Sequence, residues 1–375
     1  MDRAKSAKLL LSALLCCLML SGCWDRQEIE DQTSVAALAV DKHEQGIQVT
    51  IQVPIAIKII GSGGGGGGEG GQDAVQLYTA SGQDLTDAFK NMQKQLNREL
   101  SLDHMRLVVI SEAFARDGIE DITDALGRLH NVRRRLWPMV VEGEAAKALE
   151  ADPKLEQIPA VYMIDMIDNE VKRDRMPGYT MGRFLSKLSD EAEQPLLNLF
   201  KVTDKTINWT GIALFRDEHM VGKLNEEDSW ALLQIREGEK GFRVSSPCPN
   251  GGVEEVTFEP RDAKRTVTFV EQPFGFKVHV ELEGIIVEET CEGDLSNTGT
   301  RKAIERELKQ IYEERARRTI RELQRKKTDV TKLGTHIRAF YPAVWGQIDW
   351  QDRFPTTDIK VTYDIRILGT GAKFK

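Results

Sequence analysis

The chain has 375 residues and a net charge of −8, with 41% apolar and 29% charged residues. That length favours two or three domains at the usual ~100–200 residues each. An acidic body gives no electrostatic reason to bind nucleic acid or anionic lipid head groups.

Arg3, Lys5 and Lys8 precede an apolar run from Leu9 to Leu20, after which the chain turns polar at once. A basic start, a short apolar core and small residues before a cut describe an export signal. The run is too short to cross a hydrocarbon core of ~30 Å, which takes roughly 20 apolar residues as a helix. Leu20-Ser21-Gly22-Cys23 has the form of a bacterial lipobox, where the thiol is diacylated and the chain is cut just before it. Residues 1–22 are then a removed lipoprotein signal peptide, and Cys23 is the lipidated residue. The signal takes a charge of +2 with it, leaving −10 on the mature part. Two acyl chains suffice for stable anchoring. The expected protein is a folded body tied to a membrane surface. Only Cys248 and Cys291 remain after Cys16, Cys17 and Cys23 are accounted for. An exported protein can pair them, but neither spacing nor flanks decide.

Val35–Val40 and Ile47–Ile60 read as strands around the turn "DKHEQG". The glycine-rich stretch 61–72 has no side chains to bury and reads as a flexible loop. Its Gly61–Gly66 window satisfies G-x-G-x-x-G, yet the glycines lead into the strand-like "AVQLYTASG" and not into the helix a dinucleotide site needs. Asp84–Arg98 places Leu85, Ala88, Phe89, Met92 and Leu96 on one helical face. A strand at Met105–Ile110, a helix carrying Ile119, Ile122, Leu126 and Leu129, a strand at Trp137–Val141 and a short helix at Glu144–Leu149 follow. Residues 152–208 are broken by Pro153, Pro159, Pro177 and Pro195, with short helices expected near Tyr162–Val171 and Tyr179–Leu188. A hairpin turning at Arg216–Glu218 and a helix at "EEDSWALLQI" come next. Strands are expected at Val253–Phe258, Thr266–Val270 and Gly275–Val287, with the alternation of an antiparallel sheet. Arg301–Lys327 is a long amphipathic helix with Ile304, Leu308, Ile311, Ala316, Ile320 and Leu323 on one side. A turn-rich stretch leads into a last strand, Asp358–Leu368. The expected fold class is α+β: a multidomain mixed α/β body whose C-terminal antiparallel sheet is packed by the long helix. Its parts are an N-terminal domain at 23–204, a middle hairpin-and-helix domain at 205–250 and a C-terminal domain at 251–375.

Catalysis needs a nucleophile with a base, a metal cluster or carboxylates in a pocket. None of the usual hydrolase, metalloprotease or P-loop motifs occurs, and the six histidines show no paired ligand spacing. His104 reads as a turn residue before a strand. Glu191/Glu193 and Glu226/Glu227/Asp228 read as solvated faces. Arg133-Arg134-Arg135 is either a partner-facing patch or a set of local ion pairs. Trp345 and Trp350 can line a cleft, but closing a small core is the commoner use of such residues. No catalytic, cofactor-binding or metal-binding residue is expected.

The order of these pieces resembles the Ger(x)C family of spore germination lipoproteins. The likeness opens with Gly22-Cys23-Trp24-Asp25-Arg26-Gln27-Glu28-Ile29 and resumes at Gly82–Leu96. It continues through "DHMRLVVISEAFARDGIEDITDALGRLHNVRRRLWPMVVEGEAAKAL", with His104, Ser111-Glu112, Gly118, Arg128 and Arg133 at matching places. Thr210–Leu224 resembles the strand pair opening the family's C-terminal half. Tyr341-Pro342, Trp345, Trp350 and Phe354 are similar to its closing motif. The glycine stretch 61–72 departs from the pattern. The resemblance implies three mixed α+β domains and a lipid anchor at Cys23 in the outer face of the spore inner membrane. It implies as partners the two integral membrane subunits, A and B, of a nutrient germinant receptor, and no established catalytic residues. Direct germinant contact stays open. The rival reading is an exported lipoprotein that captures a small ligand itself.

Overall fold

The computed structural model describes residue 12 and residues 32–55, 74–248, 255–291 and 297–370. β1 (Gln32–Ser34) leads into β2 (Ala37–His43), and Gly46 turns the chain into β3 (Gly46–Pro54). β4 (Val75–Gly82) precedes α1 (Leu85–Gln93), which Asp84 opens by accepting the Asp87 amide at 2.8 Å. β5 (Glu99–Ser101) pairs in parallel with β1. The chain continues through β6 (Leu107–Ser111), α2 (Glu112–Asp117), α3 (Glu120–Arg128) and β7 (Trp137–Glu142). After α4 (Ala146–Glu150), α5 (Pro159–Lys172) and α6 (Met181–Leu188) come β8 (Leu196–Val202), β9 (Ile207–Arg216) and β10 (His219–Asn225).

Eight of these strands form one sheet in the order β10-β9-β8-β7-β6-β2-β3-β4. β2, β6, β7 and β8 are mutually parallel in its middle. Parallel strands covered on both faces become continuous apolar runs, and "LVVIS" of β6 is buried throughout. One face, with Leu38, Val108 and Val140, belongs to a core that continues into the C-terminal half. The other, with Ala39, Val109 and Val141, packs with residues of α4 and α5. β8 lies in the stretch read as irregular, because its first five residues are all buried and leave no alternation to recognise. The boundary expected near residue 205 falls between β8 and β9, which are hydrogen-bonded neighbours, so the hairpin after it extends the same sheet.

The C-terminal half begins with α7 (Glu226–Glu237) and β11 (Val244–Pro247). β12 (Glu255–Val270) runs without interruption where two pieces were expected. Register shifts at Thr257/Phe258 and Pro260/Asp262 absorb the proline. β13 (Gly275–Glu289) and the long α8 (Thr298–Lys326) follow, then α9 (Leu333–Phe340), α10 (Pro342–Trp345), α11 (Trp350–Arg353) and β14 (Asp358–Thr370). The second sheet has the order β11-β12-β13-β14. It is not wholly antiparallel as expected: β14 pairs with β13 in parallel, from Gly275↔Asp358 onward. A parallel return needs a long crossover, and α8 supplies it. Ile304, Leu308, Ala316, Ile320 and Leu323 of α8 are buried, and the helix packs on β14 and α7. Among the described residues no helix is long and apolar enough to cross a membrane.

Candidate functional site

A seam of buried charge joins the two halves. Arg236, near the end of α7, is fully buried and ion-paired to Glu193. It also donates to the Tyr179 hydroxyl at 2.6 Å and to the Val330 carbonyl. The Tyr179 hydroxyl donates to Glu193 at 2.9 Å, and the Lys187 ammonium lies 2.8 Å from the same carboxylate. Burial alone would push Glu193 up, but the Arg236 charge and Lys187 hold it below the usual carboxylate range. Beside it, Asp329 is buried and accepts the Thr331 amide at 2.7 Å, the Gly334 amide at 3.0 Å and the Trp350 indole at 2.9 Å. Burial pushes its carboxyl up, and these donors oppose the rise. Side chain and backbone approach Gly334 so closely that a Cβ there would collide with Trp350 and the Ala192 carbonyl.

Two carboxylates read as solvated are therefore structural. Glu193 has its cation in Arg236, and Asp228 is buried with Arg318 at 2.7 Å. Glu191, Glu226 and Glu227 are exposed as expected. The seam is closed to solvent and its groups hold one another, so it locks parts together and offers nothing to a substrate.

The surface beside the seam is different. Phe269 and Phe276 of the second sheet meet at 5.3 Å between ring centroids, and Phe269 also meets Phe274 at 5.0 Å and Tyr341 at 4.9 Å. The His336 and Phe340 rings meet tilted, 4.8 Å between centroids. Burial, with the charge of Arg265, lowers the His336 pKa and so favours the neutral ring. Phe340 is 70% exposed and Tyr341 38% exposed. The result is an aromatic ledge with a packed base and an uncovered rim. Trp350 is buried in the core beneath it, with Phe276 at 6.1 Å, and Trp345 is half-buried. Both tryptophans close the core; the exposed ledge residues Phe340 and Tyr341 sit just before them. The aromatic density of "FYPAVW" is the signal that marks the ledge.

A groove of about 770 Å³ runs between α8 and the end strands β9 and β10. Lys223, Arg318, Arg321 and Arg325 line it against Glu142, Asp228, Glu314 and Glu322. Most of these charges pair with each other, as in Lys223–Glu142 at 2.7 Å and Arg325–Glu322 at 2.6 Å.

Cys23 and the glycine stretch 61–72 lie outside the described residues. His104 is exposed in the turn before β6. Arg133, Arg134 and Arg135 are exposed, and none has an ion pair among the described residues. Cys248 and Cys291 are disulfide-bonded, with Cα atoms 5.7 Å apart. Among the described residues no group of three or more His, Cys, Asp or Glu side chains is placed to hold a metal.

The family described as spore germination protein N-terminal domain matches residues 25–202, and that described as spore germination B3/GerAC-like, C-terminal, matches 210–371. The chain is 26% identical to the putative spore germination protein YfkR of Bacillus subtilis (strain 168), over 84% of this chain and 84% of that protein. It is 23% identical to the spore germination protein GerQC of Bacillus cereus, over 96% of this chain and 97% of that protein. The crystal structure of the GerBC protein shares the fold, with a TM-score of 0.56 at 19% identity over 88% of this chain and 96% of that one. Two adjoining family matches, full-length relatives and a shared fold agree: the chain belongs to the Ger(x)C family of spore germination proteins.

Proposed function

We propose that this chain is a non-enzymatic, lipid-anchored subunit of a spore nutrient germinant receptor that acts by assembling with the integral membrane A and B subunits. The match of both halves to germination-protein families carries the reading. The lipobox ending at Cys23 supports an anchor on the outer face of the spore inner membrane. An anchor of this kind confines the body to two dimensions and raises its effective concentration beside its partners. The aromatic ledge, with its uncovered rim at Phe340 and Tyr341, supports a role in contact and not turnover.

Germination of spores lacking the gene, and of spores carrying Cys23→Ala, tests this against separate nutrients and one non-nutrient trigger. The expected result is loss of the response to one nutrient class with the non-nutrient response kept, and a weaker form of the same defect in Cys23→Ala. Unchanged responses in a strain without a redundant copy would sink the reading.

A further inference from the structure

We infer that the end of the large sheet where its parallel strands begin is a basic face that rests on an anionic lipid surface. The inference builds on the Cys23 anchor proposed above.

Backbone hydrogen bonds gather this end. The Val35 amide donates to the Ser101 carbonyl at 3.0 Å, the Arg106 amide to Ala36 at 3.0 Å and the Trp137 amide to Arg106 at 2.8 Å. The Gly182 amide donates to the Arg134 carbonyl at 2.8 Å, which adds the start of α6. α5 returns to the same end, because the Trp137 indole donates to Asp168 at 2.9 Å. The topology thus collects Arg106, Arg133, Arg134, Arg135, Lys172 and Arg173, all of them exposed.

The carboxylates at this end, which include the exposed Asp165 of α5, form no ion pair with Arg133, Arg134 or Arg135 among the described residues. Asp168 lies 3.8 Å from Arg106 and accepts from Trp137, while Glu170 lies between Arg173 and Arg175. Asp103 accepts the Ser101 hydroxyl at 3.1 Å, and Glu99 stands at the start of β5. Arg133, Arg135 and Lys172 have no ion pair among the described residues, and the Arg134 guanidinium reaches the Gly127 carbonyl. Net charge describes the whole surface, whereas a membrane meets one side of it. With a Debye length of ~10 Å at 0.1 M salt, acidic groups on the far side are screened and the near charges decide.

The tether selects this end. Cys23 precedes Gln32 by nine residues, and nine residues span at most ~30 Å. β1 then feeds directly into the start of β2, beside Arg106. The opposite end, at the turn holding Glu44, is a full strand length further away.

The test uses the full lipidated protein on phosphatidylcholine vesicles with or without phosphatidylglycerol, with spin-labelled head groups as quencher. A fluorophore is placed at His130→Cys on the basic end or at Glu44→Cys on the far end. On anionic vesicles the His130 site is expected to be quenched severalfold more than the Glu44 site. R133E/R134E/R135E should abolish the difference, and R133K/R134K/R135K should keep it, which separates charge from fold. Each charge removed weakens attraction to an anionic surface about fivefold. Equal quenching at the two sites, or a difference that survives the glutamate variant, overturns the basic face. Flotation with pure phosphatidylcholine vesicles reads the anchor separately. If the wild type fails to float there, the anchor reading falls, and arginine-dependent binding to phosphatidylglycerol vesicles still decides the face.

Discussion

Along β6 every residue from Leu107 to Ser111 is buried, whereas much of β13 alternates buried and more exposed positions. The first strand has packed elements on both sides of its sheet; the second gives one side to the core and one to solvent. Yet the halves do not meet through apolar contact alone. Arg236, Glu193, Tyr179 and Asp329 form a polar join inside a continuous core. Apolar burial builds each sheet, and directional bonds fix how one sheet is set against the other.

The sharpest way to break this difference is to remove the cation of the seam. Arg236→Met leaves the buried Glu193 with Lys187 as its remaining cation and is expected to cost ~3 kcal/mol in urea unfolding, the low end for a broken buried pair. Arg236→Met/Glu193→Leu should recover much of that loss, because no buried charge is then left unpaired. A single-variant loss under ~1 kcal/mol would show that the seam is not what sets the halves together.

A second change sharpens the contrast through pH. Burial, with Glu237 and Asp174 nearby, pushes the Glu239 carboxyl from its ordinary 4.5 up to about 7. Between those values the folded protein keeps a proton that the unfolded chain has released, so this group makes stability fall as pH rises from 4.5 to 7. Glu239→Gln should therefore match wild type below pH 4.5 and exceed it by ~1–3 kcal/mol above pH 7. Melting temperatures across that range check it; parallel curves for the two proteins would refute the shift.

The smallest stability effect is expected at the ledge. Phe340→Ser removes a ring that is 70% exposed and should alter stability by no more than ~0.5 kcal/mol. Recovery of the membrane subunits in co-purification should nevertheless drop. Undiminished recovery would remove the ledge from the contact surface.

Much of the fold is legible in the sequence because local signals and burial agree. The Val- and Ile-rich strands β2, β3, β6 and β7 and the apolar stripe of α8 are examples. β8 is hidden because "LLNLFKV" follows Pro195 and its first five residues are all buried, a pattern shared by strands and buried helices. The direction of β14 is hidden as well, since alternation reports which face is covered and not which neighbour runs which way. Glu193 and Asp228 look solvated because their cations, Arg236 and Arg318, lie 43 and 90 residues along the chain. The rim of the ledge is half legible: "FYPAVW" announces aromatic density, but the partners Phe269, Phe274 and Phe276 arrive from a different hairpin.

The Cys248–Cys291 bond spans a sequence separation of 43 residues and ties the chain just after β11 to the chain just after β13. β11 is four residues long and sits at the edge of its sheet, where its backbone pairs on one side alone. Bonds of this kind persist in oxidising surroundings and are kept open in a reducing cytosol. The pair is therefore a chemical record of the compartment in which each molecule matured. Thiol-reactive labelling divides a mixed population into molecules whose edge strand is clamped and molecules whose edge strand is free.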